Sequence, residues 1–126
     1  MYFLKRFLLA SVFVFFMHGA DSQYLVGSLS GSAEYKCVLT TGTAHYKAIL
    51  GNGGAGSGII KGLSAYGNLI VDPGGRSKIA KYSGEEVILF VLEGTGMLKY
   101  GKNEVPVSSD DFIYIPEETV FGFYNP

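Results

Sequence analysis

The 126-residue sequence contains a single cysteine, Cys37, and no tryptophan. One cysteine cannot form an intrachain disulfide, so the fold must be held together by core packing. A lone cysteine in the strand-like segment EYKCVL is most simply a small buried apolar residue. An intermolecular disulfide or a reactive thiol is the alternative.

Positive charge is also scarce. The chain has ten Lys and Arg against eleven Asp and Glu. Loss of residues 1–20 would leave 8 − 11 = −3, and loss of residues 1–22 would leave 8 − 10 = −2. A mildly acidic chain without a basic cluster lacks the electrostatic footprint of nucleic-acid binding and of binding to anionic lipid. We therefore predict that nucleic acid is not a partner.

Long apolar runs are absent after the N-terminal segment. Two basic side chains precede an apolar run at residues 7–17, and small residues follow it. This order is typical of a secretory signal peptide, and the run is short for a bilayer span of about 20 residues. We predict a signal peptide at residues 1–22, cleaved after Ala20 or Ser22, and a secreted, extracellular protein (periplasmic in a bacterium) without a stable membrane anchor. The alternative is an anchor that stays attached.

The rest of the chain has no convincing helical stripe. Short apolar or alternating runs recur between turn residues, a pattern that predicts an all-β sandwich or barrel. Asp72-Pro73-Gly74-Gly75 predicts a sharp turn, and Gly101-Lys102-Asn103 predicts a tight hairpin. The predicted strand segments are YLVGSL, EYKCVLTT, AHYKAIL, GIIKGL, YGNLIVD, EEVILFVLEG, GMLKYG, EVPV and DFIYIP.

A glycine-rich segment, GNGGAGSG at residues 51–58, interrupts this series. A phosphate-binding loop would need a helix after it, whereas GIIKGL follows here, so we predict a flexible surface connection. The chain then divides into the signal peptide at residues 1–22, N-terminal strands with the glycine-rich loop at 23–64, and a barrel core at 65–126.

The segment from Tyr66 onward resembles the cupin family. The matching framework comprises Pro-Gly-Gly at residues 73–75, VLEGTG at residues 91–96, and a second block with Asp111, Pro116 and Asn125-Pro126. Asp110 departs from it, because the family has glycine there. The resemblance implies a double-stranded β-helix, which is a jelly-roll barrel. It also implies a further strand or two after Asn-Pro, so the barrel core is expected to be truncated at its C-terminus.

Cupin metals are held by three histidines and a glutamate, and the resemblance places these ligands at Ala80, Tyr82, Glu86 and Phe121. Glu86 is uncertain by one residue, because counting from the second glycine motif selects Val87. Alanine and phenylalanine have no donor atom, so we predict neither a metal nor another cofactor. The side chains at the mouth of the barrel are expected to be largely apolar and aromatic, and they either fill the core or line a ligand pocket. The candidate ligand-binding residues are Tyr82, Glu86, Val87, Leu89, Tyr114, Phe121 and Phe123.

The leading hypothesis is a secreted, metal-free cupin-like barrel that binds a small molecule or a sugar, or that serves a structural role. The alternative is a metal-dependent cupin enzyme (a dioxygenase, isomerase or hydrolase) with Glu86, Tyr82 and His45 as atypical ligands. The resemblance also implies a homodimer, and a sheet edge left unpaired by missing strands would favour one.

Overall fold

The computed structural model describes residues 24–126, so the predicted signal peptide lies outside the described residues. Seven strands form the regular structure of this part: β1 Ala44–Gly51, β2 Ala65–Val71, β3 Val87–Phe90, β4 Thr95–Tyr100, β5 Asn103–Ser108, β6 Phe112–Ile115 and β7 Phe121–Tyr124. The all-β class predicted from the sequence is confirmed. Over residues 24–126, no helix has the length and apolar character that a membrane crossing requires.

The strands pair antiparallel in three small sheets, β1–β2, β3–β6 and β5–β4–β7. Pairing of β3 with β6 and of β4 with β7 joins strands that are distant in the sequence, as in a jelly roll. The segment between β2 and β3 extends the third sheet, because Arg76 bridges to Tyr124 and Ala80 bridges to Phe121. Residues 76–80 therefore lie beside β7.

Two turns follow the predicted chemistry. Asp72 accepts a hydrogen bond of 2.8 Å from the backbone of Gly75, and Gly74 takes a φ of 71° at the position where such a turn needs glycine. Strands β4 and β5 are joined by a two-residue loop between Tyr100 and Asn103, as expected for a tight hairpin.

Three of the predicted strand segments are wrong. YLVGSL and GIIKGL are irregular or turn-like, and EYKCVLTT makes only one bridge, from Glu34 to Lys47. Local hydrogen bonds replace a ladder: Thr40 donates to the carbonyl of Cys37, and Ile60 donates to that of Gly56. Strand propensity needs a partner strand, and within the described residues these segments find none beyond the single bridge of Glu34 to β1. The glycine-rich segment does connect β1 to β2, as predicted.

The core lies between the sheets and includes residues from the N-terminal segment. Its buried side chains are Leu39, Ala80, Leu98, Ile115 and Phe121. The backbone of Lys78 donates a 3.0 Å hydrogen bond to the carbonyl of Leu39 and ties this segment to the barrel. Because Leu39 packs with Phe121, residues before 65 contribute to the same core as those after it.

Candidate functional site

Three positions that the sequence aligns with metal ligands come together in space. Ala80 and Phe121 exchange both backbone hydrogen bonds, at 2.8 and 2.9 Å. The ring of Tyr82 lies 6.0 Å from that of Phe121, tilted by 30°. The two segments that should supply the ligands are therefore neighbours, and their side chains form an aromatic contact.

Five of the seven candidate residues share this region. Phe121 is 0% exposed and fills the centre of the core, and the ring of Phe123 meets it edge-on at 6.1 Å and 80°. Tyr82, Val87 and Leu89 pack against the same cluster and are half-buried. Phe121 is thus a core-filling side chain, whereas the ligand-binding role of the set stays a prediction.

Glu86 and Tyr114 do not lie with the other five. Both are exposed, and the Tyr114 hydroxyl donates a hydrogen bond of 2.6 Å to the Glu86 carboxylate. This bond raises the pKa of Tyr114, with smaller effects of burial and nearby charge. Adjacent residues of a strand face opposite sides, so Val87 points inward and Glu86 does not. The interior placement expected for Tyr114 is corrected for the same reason, because Ile113 and Ile115 take the inner face of β6.

Sequence reasoning missed two polar side chains that lie within electrostatic range of Tyr82. Burial raises the pKa of Tyr82 to about 12, and the nearby ionisable groups of Cys37, Tyr46 and Glu85 add to the effect. Burial also raises the pKa of Tyr46, again with Cys37 close by. We call Cys37, Tyr46 and Tyr82 the mouth site, of which Cys37 and Tyr82 pack against the core cluster that contains Phe121.

The alternation of apolar residues in AHYKA is a sequence signal that could have placed Tyr46 on the inner face of its strand. In β1, Ala44 and Ala48 are both buried. Alternate residues of a strand share a face, so Tyr46 belongs to the inner face and His45 to the other. Cys37 carries no such signal, since it lies outside any strand of the described residues.

The comparisons with known proteins agree with this architecture. A family model described as "Cupin domain" matches residues 67–126. Residues 67–126 are a cupin domain. A search of the curated proteins finds no match.

A solved structure resembles this chain over most of its length. A crystal structure of a predicted oxalate decarboxylase from Thermotoga maritima matches with a TM-score of 0.66 and 16% identity, over 80% of this chain and 87% of that one. At this identity the likeness shows the fold, and the jelly-roll barrel predicted from the sequence is confirmed.

The residues of the cupin domain do not fit the family's metal site. Of the positions that converge, Ala80 and Phe121 have no donor, and the raised pKa of Tyr82 keeps its phenol protonated at neutral pH. First-row metals need deprotonated or imidazole ligands in the right number. Over residues 24–126, no group of three or more His, Cys, Asp or Glu is arranged to hold a metal ion.

The atypical ligand set of the enzyme hypothesis is also separated. The ring of His45 lies on the β1–β2 sheet, with Nε2 at 3.2 Å from Asp72 Oδ2 and Nδ1 at 3.7 Å from Glu34 Oε1. Glu86 is bonded to Tyr114 on the outside, and Tyr82 packs on Phe121. Each of the three thus has its own partners in a different part of the domain.

Proposed function

We propose that this protein binds a small neutral molecule of the carbohydrate class at the mouth site, without a metal. One observation carries the proposal. At the place where the family's ligands would converge, the half-buried phenol of Tyr82 packs on the core-filling ring of Phe121 and no side chain of the aligned positions 80, 82 and 121 carries a charge. The ring of Tyr82 suits an apolar ring face, and its phenol suits a hydroxyl group.

The chemistry of the mouth site favours a neutral ligand. Tyr46 and Tyr82 each combine an apolar ring with a hydroxyl that donates and accepts hydrogen bonds. Both hydroxyls are uncharged at neutral pH, since an ordinary tyrosine has a pKa of about 10 and burial raises the pKa of these two further. The three side chains of the mouth site carry no positive charge to attract a carboxylate substrate. A sugar ring presents both an apolar face and hydroxyl groups, and therefore matches this surface.

The experiment has two parts. Metal content is measured by mass spectrometry on protein purified without chelator or nickel affinity. Thermal unfolding is then followed against a panel of monosaccharides and disaccharides. A ligand at about 100 times its Kd stabilises the folded state by about 2.7 kcal/mol, which raises the Tm of a domain this size by about 10 °C or more.

Two variants locate the ligand. Tyr82→Phe removes the hydroxyl at the mouth site, whereas Tyr114→Phe removes one from the exposed side of β6 and serves as the matched control. For Tyr82→Phe we expect the apparent affinity for the sugar, derived from the Tm shift, to fall about tenfold, which corresponds to the loss of one hydrogen bond. For Tyr114→Phe we expect the Tm shift to remain that of the wild type. Equal loss in both variants would place the ligand elsewhere.

Other outcomes would replace the proposal. A stoichiometric transition metal would contradict the metal-free site and favour the enzyme hypothesis. No metal and no shift with any sugar would favour the structural role.

We also propose that the protein is exported after cleavage within residues 1–22. The order of basic, apolar and small residues there supports this. The mass of the protein recovered from the culture medium or periplasm tests it, with Asp21 or Gln23 expected as the first residue. A full-length mass in the membrane fraction would indicate a retained anchor.

A further inference from the structure

The outward side of the β3–β6 sheet is apolar and aromatic. Its five side chains, which we call the outer β3–β6 face, have exposed fractions between 42% and 78% and are Ile88, Phe90, Leu92, Phe112 and Tyr114. Ile88 is directly opposite Tyr114, and Phe90 is opposite Phe112, with ring centroids 4.5 Å apart. The face is therefore one continuous surface on two neighbouring strands.

Strand β3 is apolar on both sides. Val87 and Leu89 pack against the core, while Ile88 and Phe90 point away from it. A strand that reads as an unbroken apolar run is characteristic of a sheet covered on both faces. Within residues 24–126 nothing covers the outer side, so the exposed apolar surface is available to a partner.

Acidic side chains surround this face. Residues 85–93 and 108–118, which contain both strands and their ends, hold seven Asp and Glu and no Lys or Arg. All seven are exposed. In the part of the chain that the structure describes, one of the seven is in an ion pair, Glu118 with Lys81 at 2.7 Å. The other six have no basic side chain within ion-pair distance there, so the surroundings of the face are negatively charged.

This charge selects among the possible occupants of the face. A second copy would bring the same acids of both chains together, and anionic lipid headgroups would be repelled in the same way. A partner with Lys and Arg beside its apolar residues is attracted instead, over about 8 Å at physiological ionic strength. Its cations can also lie over the exposed rings of Phe90 and Phe112. Charge complementarity therefore favours a basic, amphipathic partner.

We propose that the outer β3–β6 face is the docking site for a cationic amphipathic helix of another protein. A helix of this kind presents an apolar stripe between basic flanks, which matches an apolar face between acidic borders. From Ile88 to Leu92 the face spans about 13 Å at about 3.3 Å per residue. A helix rises about 5.4 Å per turn, so about two and a half turns cover this length. This docking does not require a ligand at the mouth site.

The area of the face sets the expected affinity. The five exposed fractions together amount to about three whole large side chains, or about 600 Å² at about 200 Å² each. A helix that covers the face loses a similar area, so the complex buries about 1,200 Å², at the low end for specific complexes. We therefore expect a transient complex with a Kd of micromolar order.

The experiment compares two labelled peptides of about 18 residues, or about five helical turns, with the same amphipathic pattern. One consists of Leu and Lys, and the other of Leu and Glu. Each is titrated with the mature protein, and binding is followed by fluorescence anisotropy. We expect binding of the Leu/Lys peptide alone. Its Kd should rise severalfold between about 10 mM and about 150 mM sodium chloride, over which the screening length falls from about 30 Å to about 8 Å.

Variants locate the peptide on the protein. Phe112→Ser and Ile88→Ser should each raise the Kd at least tenfold, and because both side chains are at least three-quarters exposed, their circular dichroism spectra should remain those of the wild type. Glu93→Gln combined with Glu117→Gln should weaken binding at low salt and reduce its salt dependence. Ile59→Ser replaces an apolar residue outside the face, at 58% exposure, and should leave the Kd unchanged.

Four outcomes would overturn the proposal. The Leu/Lys peptide does not bind, or the Leu/Glu peptide binds equally well. Binding of the Leu/Lys peptide is unaffected by Phe112→Ser, which would place the peptide elsewhere. Sedimentation velocity shows a wild-type dimer that Phe112→Ser dissociates, which would identify a second copy as the occupant. Vesicles of phosphatidylcholine bind the wild type but not Phe112→Ser, which would identify a lipid surface.

Discussion

Replacement of Phe121 by alanine tests whether the barrel mouth is filled or open. Phe121 is 0% exposed and contacts the rings of Tyr82 and Phe123 at 6.0 and 6.1 Å. Removing a buried phenylalanine forfeits its transfer free energy and leaves a cavity, at a combined cost of about 3–5 kcal/mol. Domains of this size have a total stability of about 5–15 kcal/mol, so the variant should lose a large part of it.

Urea denaturation followed by circular dichroism measures this loss. We expect a midpoint displaced by the full 3–5 kcal/mol with an unchanged m-value, because the surface exposed on unfolding is the same. Phe112→Ala is the matched control, since it removes the same side chain from a position that is 78% exposed. It should cost about 1 kcal/mol or less, the value of its ring contact with Phe90, when measured at concentrations where the protein is monomeric.

A Phe121→Ala variant within about 1 kcal/mol of the wild type would refute the reasoning. The side chain would then border an open, solvated cavity whose walls lose little on truncation. In that case Phe121 would join the mouth site as a ligand-lining residue.

The remaining predictions concern a strained turn and an alkaline transition. Asp110 has a φ of 74°, which glycine adopts without strain, so Asp110→Gly should raise the free energy of unfolding by about 0.5–1 kcal/mol. The control Lys102→Gly, at a position without positive φ, should lower the free energy of unfolding. An Asp110→Gly variant less stable than the wild type would contradict this prediction. The pKa of Tyr82 is raised from 10.0 to about 12 in the folded state. The stability that its protonated phenol gives the folded state is therefore present below pH 10 and is lost as the pH rises to about 12. Between pH 10 and pH 12, the urea midpoint should fall less steeply with pH for Tyr82→Phe than for the wild type. Equal slopes for the two proteins would contradict a raised pKa at Tyr82.

Local sequence was sufficient for the turns and for most of the barrel strands. Asp72-Pro73-Gly74-Gly75 turns as expected because proline and glycine restrict the backbone without help from distant residues. The resemblance of residues 66–126 to the cupin family also implied the fold, and with it the nearness of Ala80, Tyr82 and Phe121. These features depend on short stretches whose meaning does not change with the rest of the chain.

Before residue 65, the sequence was a poorer guide to which segments form strands than it was for the barrel. EYKCVLTT and GIIKGL have the composition of strands, but pairing requires a partner brought close by the whole fold. Leu39 and Cys37 are held instead by contacts with the core and by the hydrogen bond from Lys78 to Leu39. Nothing within EYKCVLTT itself distinguishes these two outcomes.

The sequence by itself determined the all-β class through its turn residues and short strand-like runs. It also indicated the family through the resemblance of residues 66–126 to cupins, and side-chain identity showed that Ala80 and Phe121 have no metal donor. Only the tertiary structure decided which side chains share the mouth. Val87 rather than Glu86 faces inward, Tyr114 lies outside, and Tyr46 and Cys37 lie within electrostatic range of Tyr82. The physical reason is that one residue of register exchanges the two faces of a strand, and register is set by pairing between segments far apart in the chain.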